Sequence, residues 1–253
     1  MDEQVATVLE RLTDDLREQL AANLVGLYLH GSLVMGDFEP RRSDVDLLAV
    51  LAHDLSEADL QGLREMHACI AAAHPNWRDR VEVAYVPVAT LQTIGVEGRP
   101  MARISPGEPL HAFPATRHYL LEWYVVRRSG LTLFGPPARE LMPEISREEF
   151  VQVVREHARG WKAWVTETRG SGGQAYAVLT LCRALYSSRL GEQVSKRQAG
   201  IWASGQLHRW SALIAWALGW WYAGGSDVSG EDRHPEVTRF VEEVSDQVLS
   251  ANP

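Results

Sequence analysis

A Gly-Ser turn followed by two closely spaced aspartates is the feature that most restricts how this chain can fold. The apolar run Leu24–His30 ends at the turn Gly31-Ser32, and Asp44 and Asp46 open a second, mostly apolar run, Asp44–Leu51. Short apolar runs bounded by turn residues are typical of buried strands, so we predict a strand at each run. Residues two apart on a strand point to the same face, which would set the two carboxylates side by side.

The aspartate pair needs a positive partner, because adjacent carboxylates repel each other and burial strengthens the repulsion. Mg²⁺ meets this requirement, since it binds through one or two carboxylates together with substrate phosphates. A glycine turn that leads into a helix start also suits phosphate, because glycine permits close approach and helix amides bind anions. Two solvated charges at a turn or sheet edge are the alternative, but the apolar residues directly after Asp46 favour a strand in the core.

A third acidic residue, Glu82, lies inside the predicted strand Arg80–Val86, between Val81 and Val83. A charge within an apolar strand costs free energy unless it has a partner. If this strand lies beside the Asp44 strand, Glu82 joins the two aspartates. The pattern also allows a glutamate that faces solvent from an edge strand, and without the upstream motif this alternative would be favoured.

The order of predicted elements indicates an α/β domain with a mixed sheet over residues 1–137, followed by an all-α helical bundle over residues 138–253. In the first part, helices are predicted at residues 3–22 and 55–73. A high density of glycine and proline predicts a long loop at residues 94–116.

The helical bundle is predicted from five stretches of helical periodicity. They are residues 146–168, 174–190, 196–204, 206–223 and 232–250. Between the first two, Gly170-Ser171-Gly172-Gly173 is expected to form a flexible hinge, because glycine and serine favour turns.

Composition narrows the range of partners. The 253 residues carry a net charge of −8, which disfavours duplex nucleic-acid binding and favours capture of a small cation. The N-terminus has no apolar segment typical of a secretory signal, and the longest apolar tract, residues 212–221, is too short to span a bilayer. We therefore expect a cytoplasmic monomer that binds small molecules and neither a membrane nor duplex nucleic acid.

The segment that holds the turn and the aspartate pair resembles the signature of the DNA polymerase beta-like nucleotidyltransferases. In that superfamily the Gly-Ser turn holds the triphosphate, the two aspartates bind the metal, and a carboxylate on a following strand ligates metal or acts as a base. The resemblance implies that Gly31 and Ser32 bind the nucleotide and that Asp44 and Asp46 are catalytic Mg²⁺ ligands. It also implies that Glu82 is a metal ligand or the catalytic base.

The resemblance extends over almost the full chain, because the C-terminal half is similar to the helical domain of bacterial aminoglycoside adenylyltransferases that act on streptomycin and spectinomycin. The matching residues are Leu133-Phe134-Gly135-Pro136-Pro137, Val178-Leu179-Thr180-Leu181-Cys182-Arg183, Tyr186-Ser187, Lys196 and Trp202-Ala203. In that family an arginine, a lysine and a tyrosine contact ATP, which implies this role for Arg183, Lys196 and Tyr222. The phosphate-contacting serines of the family correspond to Ser32 and Ser43.

The antibiotic side departs from the family. Its members place acidic residues in the loop before the helix that begins near Val178, to meet the cationic groups of the drug, whereas residues 170–173 contain no acid. A substrate-facing tryptophan of the family corresponds to Trp164. Glu108 is the nearest charged candidate for a second substrate contact.

These features predict an enzyme that transfers AMP from ATP, with Mg²⁺, to a hydroxyl of a small cationic antibiotic such as an aminoglycoside or aminocyclitol, and so confers resistance. Glu82 would be its base, as the resemblance implies. An adenylyltransferase for a lincosamide or a protein hydroxyl is one alternative. A non-catalytic nucleotide-binding regulator or antitoxin is another, but it has no reason to keep three mutually repelling acids.

Overall fold

The computed structural model describes residues 3–93, 98–225 and 233–250. By its internal contacts the chain divides into two compact units, Met1–Glu144 and Ile145–Pro253. Each unit buries its own set of apolar side chains. None of the helices in the described ranges is long and apolar enough to cross a membrane.

A mixed sheet forms the centre of the first unit. Its strands, within the described residues, are β1 (Leu24–His30), β2 (Val45–Leu51), β3 (Val81–Pro87), β4 (Pro100–Ser105), β5 (Glu108–Pro114) and β6 (Leu131–Phe134). They lie in the order β5-β4-β3-β2-β1-β6, with β2 and β3 parallel and the other neighbouring pairs antiparallel. The predicted mixed sheet is confirmed, and the first three strands lie within one residue of their predicted bounds.

Two long helices cover one face of this sheet. The helices of the first unit are α1 (Glu3–Leu20), α2 (Gly31–Val34), α3 (Glu57–Ala73), α4 (Val88–Gln92), α5 (Leu120–Ser129) and α6 (Ala138–Leu141). Val8 and Leu12 of α1 and Leu63 of α3 share a buried core with Leu47 of β2. Because successive strand residues alternate between faces, Asp46 points to the face that α1 and α3 leave uncovered.

The prediction of a long loop at residues 94–116 is wrong, since β4 and β5 form an antiparallel hairpin there; residues 94–97 lie outside the described residues. The strands reverse near Gly107, whose φ is +77°. β5 is the edge strand, where Pro109 and Pro114 are tolerated because no further strand needs their missing N–H groups. The prolines that favoured a loop are thus compatible with an edge hairpin.

The second unit is helical, which confirms the predicted all-α domain. Its helices, within the described residues, are α7 (Arg147–Ala158), α8 (Trp161–Glu167), α9 (Ser171–Leu190), α10 (Lys196–Gln206), α11 (Ser211–Tyr222) and α12 (His234–Ser250). α9 is the central helix, in contact with each of the other five. Its side chains are buried along most of its length.

The predicted flexible hinge at residues 170–173 is also wrong, because most of this segment is the first turn of α9. The glycines serve close packing instead. A Cβ on Gly172 would lie 2.7 Å from the ring of Trp220, and a Cβ on Gly173 would lie 2.4 Å from the methyl group of Thr168. Glycine at both positions therefore lets neighbouring side chains pack directly against the helix backbone.

The helices of the second unit differ from their predicted bounds, most of all in two places. The helix predicted at residues 146–168 is two helices, α7 and α8, separated by Arg159-Gly160. The helix predicted at residues 206–223 begins only at Ser211, after a short 3₁₀ turn. The first residue of the helix predicted at 232–250 lies outside the described residues.

Residues 136–142 pack with the first unit. The Tyr28 hydroxyl donates to the Pro136 carbonyl at 2.8 Å, and Arg127 Nε donates to the Met142 carbonyl at 3.1 Å. α6 also contacts α4 and α5. The compact first unit accordingly extends past the predicted boundary and includes α6.

Candidate active site

Three polar residues lie side by side across the centre of the sheet. His30, the last residue of β1, pairs with Asp46 of β2, and Asp46 pairs in turn with Glu82 of β3. β3 lies between β2 and β4, so the alternative of a solvent-facing glutamate on an edge strand does not hold for Glu82. Asp44 comes directly before β2. The sheet register thus brings the predicted acids to one end of three neighbouring strands.

Gly31 lets the chain pass beside Asp46. Its φ is +68°, and a Cβ at this position would lie 1.8 Å from Oδ2 of Asp46. Left-handed backbone is unfavourable for any residue with a Cβ. Glycine is therefore required at position 31 for two reasons: it allows the turn from β1 into α2, and it leaves room for the Asp46 carboxylate.

The two serines predicted to contact phosphate differ in their surroundings. The Ser32 hydroxyl is buried and has no hydrogen-bond partner among the residues that the structure describes. Buried hydroxyls are normally paired, so this one is available for a ligand. Ser43 is already bonded, because its Oγ accepts from the Glu39 amide at 2.9 Å and its carbonyl accepts from Nε and Nη2 of Arg80. These bonds hold the loop that leads into Asp44.

The Glu82 carboxylate forms an ion pair with Nη2 of Arg103 on β4. Nη1 of the same arginine lies 3.0 Å from Oε2 of Glu122 on α5, and its Nε donates to Ser105 Oγ at 3.1 Å. The guanidinium also lies over the ring of Tyr119, 5.4 Å from the ring centroid. One arginine therefore joins two acids on different elements of the first unit.

Sequence analysis missed Arg103 and Glu122. Arg103 falls in the stretch that was predicted to be a loop, and its placement depends on the β4–β5 hairpin. Glu122 interrupts an apolar part of α5, where Leu120 and Val126 are buried. An acid in such a segment requires a cationic partner, and this signal could have found Glu122.

Burial changes the proton affinity of the acids. It raises the pKa of Glu82; the positive charge of Arg103 opposes the rise, while the charges of Glu122 and Asp44 add to it. Burial also raises the pKa of Glu122 against the pull of Arg103. For His30 the effect is reversed, since burial lowers its pKa to about 4 and the ring is neutral at neutral pH. Such perturbed groups are typical of sites where protons are transferred.

The aspartate pair fits Mg²⁺. Within residues 3–93, 98–225 and 233–250, no three His, Cys, Asp or Glu side chains are grouped as ligands of one metal ion. Mg²⁺ needs only one or two protein carboxylates when a substrate supplies phosphate oxygens, and Asp44 and Asp46 meet that need. The Glu82 carboxylate is paired with Arg103 instead, so its role as a metal ligand stays a prediction.

The residues predicted to contact ATP from the second unit lie on α9, α10 and α11, which pack together. Lys196 begins α10, and its Nζ lies 4.2 Å from the ring centroid of Tyr176 on α9. Arg183 follows Tyr176 by two helical turns and so lies on the same face of α9. Tyr222 ends α11, where the guanidinium of Arg197 lies 3.9 Å from its ring centroid.

Trp164 belongs to a chain of aromatic rings in the second unit. We call this set the aromatic group: Trp161, Trp164, Tyr176, Trp220 and Trp221. The ring centroid of Trp164 lies 5.0 Å from that of Trp161 and 6.3 Å from that of Tyr176. Trp164 is 43% exposed, so a broad apolar face remains open to a ligand. Lys196 Nζ, 4.7 Å from the Trp221 centroid, lies against the same group.

Glu108 lies elsewhere in the first unit. It is the exposed first residue of β5 and lines a cleft of about 440 Å³ together with His67, Trp77 and Asp79. Neither Asp46 nor the other predicted acids line this cleft. A substrate role for Glu108 stays a prediction.

Known proteins match both parts of the chain. Residues 9–104 match the nucleotidyltransferase domain family, and residues 140–247 match the family described as aminoglycoside adenylyltransferase, C-terminal domain. Aminoglycoside (3'')(9) adenylyltransferases of Shigella flexneri and Escherichia coli are each 25% identical over 217 residues, which cover 81% of this chain and 80% of theirs.

A solved structure shares the fold. It is the crystal structure of spectinomycin adenyltransferase AAD(9) from Enterococcus faecialis with ATP and spectinomycin. The TM-score is 0.77 at 17% identity, and the match covers 96% of this chain and 98% of that one. At this identity the likeness concerns the fold alone.

The N-terminal match, together with the acids on neighbouring strands of a mixed sheet, defines the chain as a nucleotidyltransferase. The second match covers most of the helical unit and curated relatives align over most of the chain, so within that class the chain is similar to the aminoglycoside adenylyltransferases.

Proposed function

We propose that this enzyme uses Mg²⁺ to transfer AMP from ATP to a hydroxyl of a small cationic antibiotic, an aminoglycoside or aminocyclitol. The observation that carries the proposal is the register that sets Glu82 beside Asp46, next to the Gly31 turn. A base, a metal-binding carboxylate and a phosphate-binding turn are the parts that nucleotidyl transfer requires.

In the proposed reaction the acceptor oxygen forms a bond to the α-phosphorus of ATP, and the bond from that phosphorus to pyrophosphate breaks. Glu82 accepts the hydroxyl proton, because a hydroxyl is a weak acid and gains from a base within hydrogen-bond reach. Asp44 and Asp46 would hold Mg²⁺, which when bound neutralises charge on the phosphates. The unpartnered Ser32 hydroxyl donates to a phosphate oxygen.

Gly31→Ala is expected to lower kcat/KM on the order of 100-fold, because the added methyl group displaces the Asp46 carboxylate. Gly36→Ala is the matched control. Gly36 has a φ of +67°, close to the +68° of Gly31, but nothing lies within 4 Å of an added Cβ. Both variants should lose about 1 kcal/mol of stability from backbone strain. Thermal melts and steady-state kinetics check this, and equal kinetic losses would remove Asp46 as the cause.

The second unit supplies the cations that we propose for the nucleotide. Arg183 and Lys196 neutralise negative charge on ATP, and Tyr222 contacts the nucleotide beside them. Their location on three packed helices supports a shared role. The related solved structure contains ATP, which also supports ATP as the donor.

Lys196→Met is expected to weaken ATP binding by about tenfold, the effect of losing one charge-assisted hydrogen bond. Methionine keeps the apolar stem against Tyr176 and Trp221, so the helices should still pack. Lys162→Met is the control in the same unit, because that ammonium is paired with Asp246 at 2.6 Å. Calorimetric titration with ATP measures both, and an unchanged affinity for Lys196→Met would exclude it from the nucleotide site.

The acceptor class rests on the relatives and on the aromatic group. The curated relatives are named as acting on aminoglycosides, and the solved relative contains spectinomycin. Exposed aromatic faces attract cations, so Trp164 offers a contact where residues 170–173 supply no acid. The net charge of −8 favours capture of a cation.

A panel of acceptors tests the proposal. Aminoglycosides, aminocyclitols and lincosamides are each incubated with the protein, ATP and Mg²⁺, and pyrophosphate release is measured. We expect release with at least one aminoglycoside or aminocyclitol. Release with a lincosamide alone would assign a different acceptor, and no release with any compound would contradict the proposed acceptor class.

A further inference from the structure

Three largely buried charges, one of them the proposed base, lie together in the first unit. The side chains of Glu82, Arg103 and Glu122 are 19%, 18% and 13% exposed. Two carboxylates share one guanidinium, so one negative charge is left unbalanced. Burying an unbalanced charge is costly, and a single acid would neutralise Arg103 at lower cost. The second acid therefore calls for a reason other than stability.

The contacts of Arg103 leave it little freedom. Ser105 accepts from its Nε, Glu122 is bonded to its Nη1 and Glu82 to its Nη2. The ring of Tyr119 lies against the guanidinium face. The hydrogen bonds along its edge and the ring of Tyr119 against one face therefore fix the orientation of the guanidinium plane.

Glu122 controls how Arg103 can bind Glu82. A free guanidinium prefers to grip a carboxylate with two parallel hydrogen bonds, one to each oxygen. Because Glu122 occupies Nη1, Arg103 reaches Glu82 through Nη2 and binds Oε1 alone. Oε2 of Glu82 takes no part in the bond. Among the described residues, Oε1 of Glu122 is buried without a hydrogen-bond partner.

We propose that Arg103 and Glu122 are positioning residues for Glu82, in which Glu122 holds Arg103 to a single contact so that Oε2 of Glu82 stays available to the acceptor hydroxyl. The inference rests on the proposed function, where Glu82 is the base. It gives Glu122, the second acid on Arg103, a role in catalysis through Glu82.

Glu122→Gln tests the inference, because it removes the competing charge and keeps the side-chain size. The neutral glutamine oxygen binds Nη1 more weakly than a carboxylate does, so Arg103 can turn to grip both oxygens of Glu82. We expect kcat to fall by at least about tenfold, while KM for ATP and for the acceptor stays within about twofold. Since one acid and one guanidinium remain, the melting temperature should stay level or rise. Glu57→Gln is the control, because Glu57 is paired with Arg64 at 3.2 Å but is 82% exposed.

Other kinetic outcomes would overturn the inference. A normal kcat for Glu122→Gln would show that Glu82 does not depend on Glu122. A fall in kcat that only matches a loss of folded protein in thermal melts would leave Glu122 a structural residue. Arg103→Lys is the second variant, since a single ammonium can hold Glu82 but cannot reproduce the planar fork. It should also lose kcat at constant KM.

Nitrogen NMR of arginine-labelled protein gives a readout that needs no turnover. A guanidinium held by two carboxylates rotates slowly, so we expect resolved Nη signals, assigned through their absence in Arg103→Lys. Glu122→Gln should shift these signals as Arg103 changes its grip, and unchanged signals would overturn the inference. If the wild type modifies no acceptor, the proposed function fails while the NMR result still decides the arrangement of Arg103.

Discussion

Glu82→Gln is expected to lower the rate of adenylyl transfer by roughly 10²- to 10⁴-fold, which is the contribution of a positioned general base. Glutamine matches glutamate in size, but its amide cannot take the proton from the acceptor hydroxyl. The fold should persist, because Arg103 keeps its bond to Glu122 and no buried guanidinium is left without an acid.

ATP binding distinguishes loss of the base from loss of the site. The dissociation constant of ATP should stay within about threefold of the wild-type value, since a group that acts on the acceptor contributes little to nucleotide binding. Glu57→Gln is a useful control, because this acid is 82% exposed on α3 and is paired with Arg64 outside the proposed site. Normal turnover by Glu82→Gln would remove Glu82 as the base.

Asp46→Asn is expected to lower kcat/KM on the order of 10³-fold, because a metal ion contributes several kcal/mol to the transition state. Asp46 lies between His30 and Glu82 in the sheet register and against the Gly31 backbone. Asparagine fits this space but is a poorer ligand for Mg²⁺ than a carboxylate. The concentration of Mg²⁺ that gives half-maximal activity should rise together with the loss.

The Asp46→Asn protein should lose activity without losing thermal stability. Glu82 and Asp44 lie close by, so removal of one of these like charges relieves repulsion and should leave the melting temperature level or higher. Asp15→Asn serves as the control, because that carboxylate is paired with Arg11 on α1. An Asp46→Asn protein with a wild-type Mg²⁺ requirement would contradict the metal role of Asp46.

The strands that carry the acids could be predicted because their signals are local. The apolar residues after Asp46 and around Glu82 indicated buried strands, and β1, β2 and β3 lie where they were predicted. The sequence predicted that Glu82 lies beside Asp46 only if their strands are neighbours in the sheet. No local pattern encodes the order of the strands. The parallel pairing of β2 with β3 supplied that condition.

The remaining features depend on tertiary contacts. Pro109 and Pro114 favoured a loop, but an edge strand tolerates them, so the hairpin that carries Arg103 could not be predicted. Gly172 and Gly173 favoured a hinge, whereas close packing of Trp220 and Thr168 explains them. Local composition cannot distinguish a glycine that bends the chain from one that makes room for a neighbour.

The position in ATP of the phosphate that is transferred distinguishes adenylyl transfer from phosphoryl transfer. The protein is incubated with Mg²⁺, an aminoglycoside or aminocyclitol, and ATP labelled at either the α- or the γ-phosphate, and the antibiotic is then isolated. An adenylyltransferase with Glu82 as base moves label to the drug from the α-position only, and the Glu82→Gln protein moves almost none. Label from the γ-position, or none from either position with any drug of these classes, would contradict adenylyl transfer to these antibiotics.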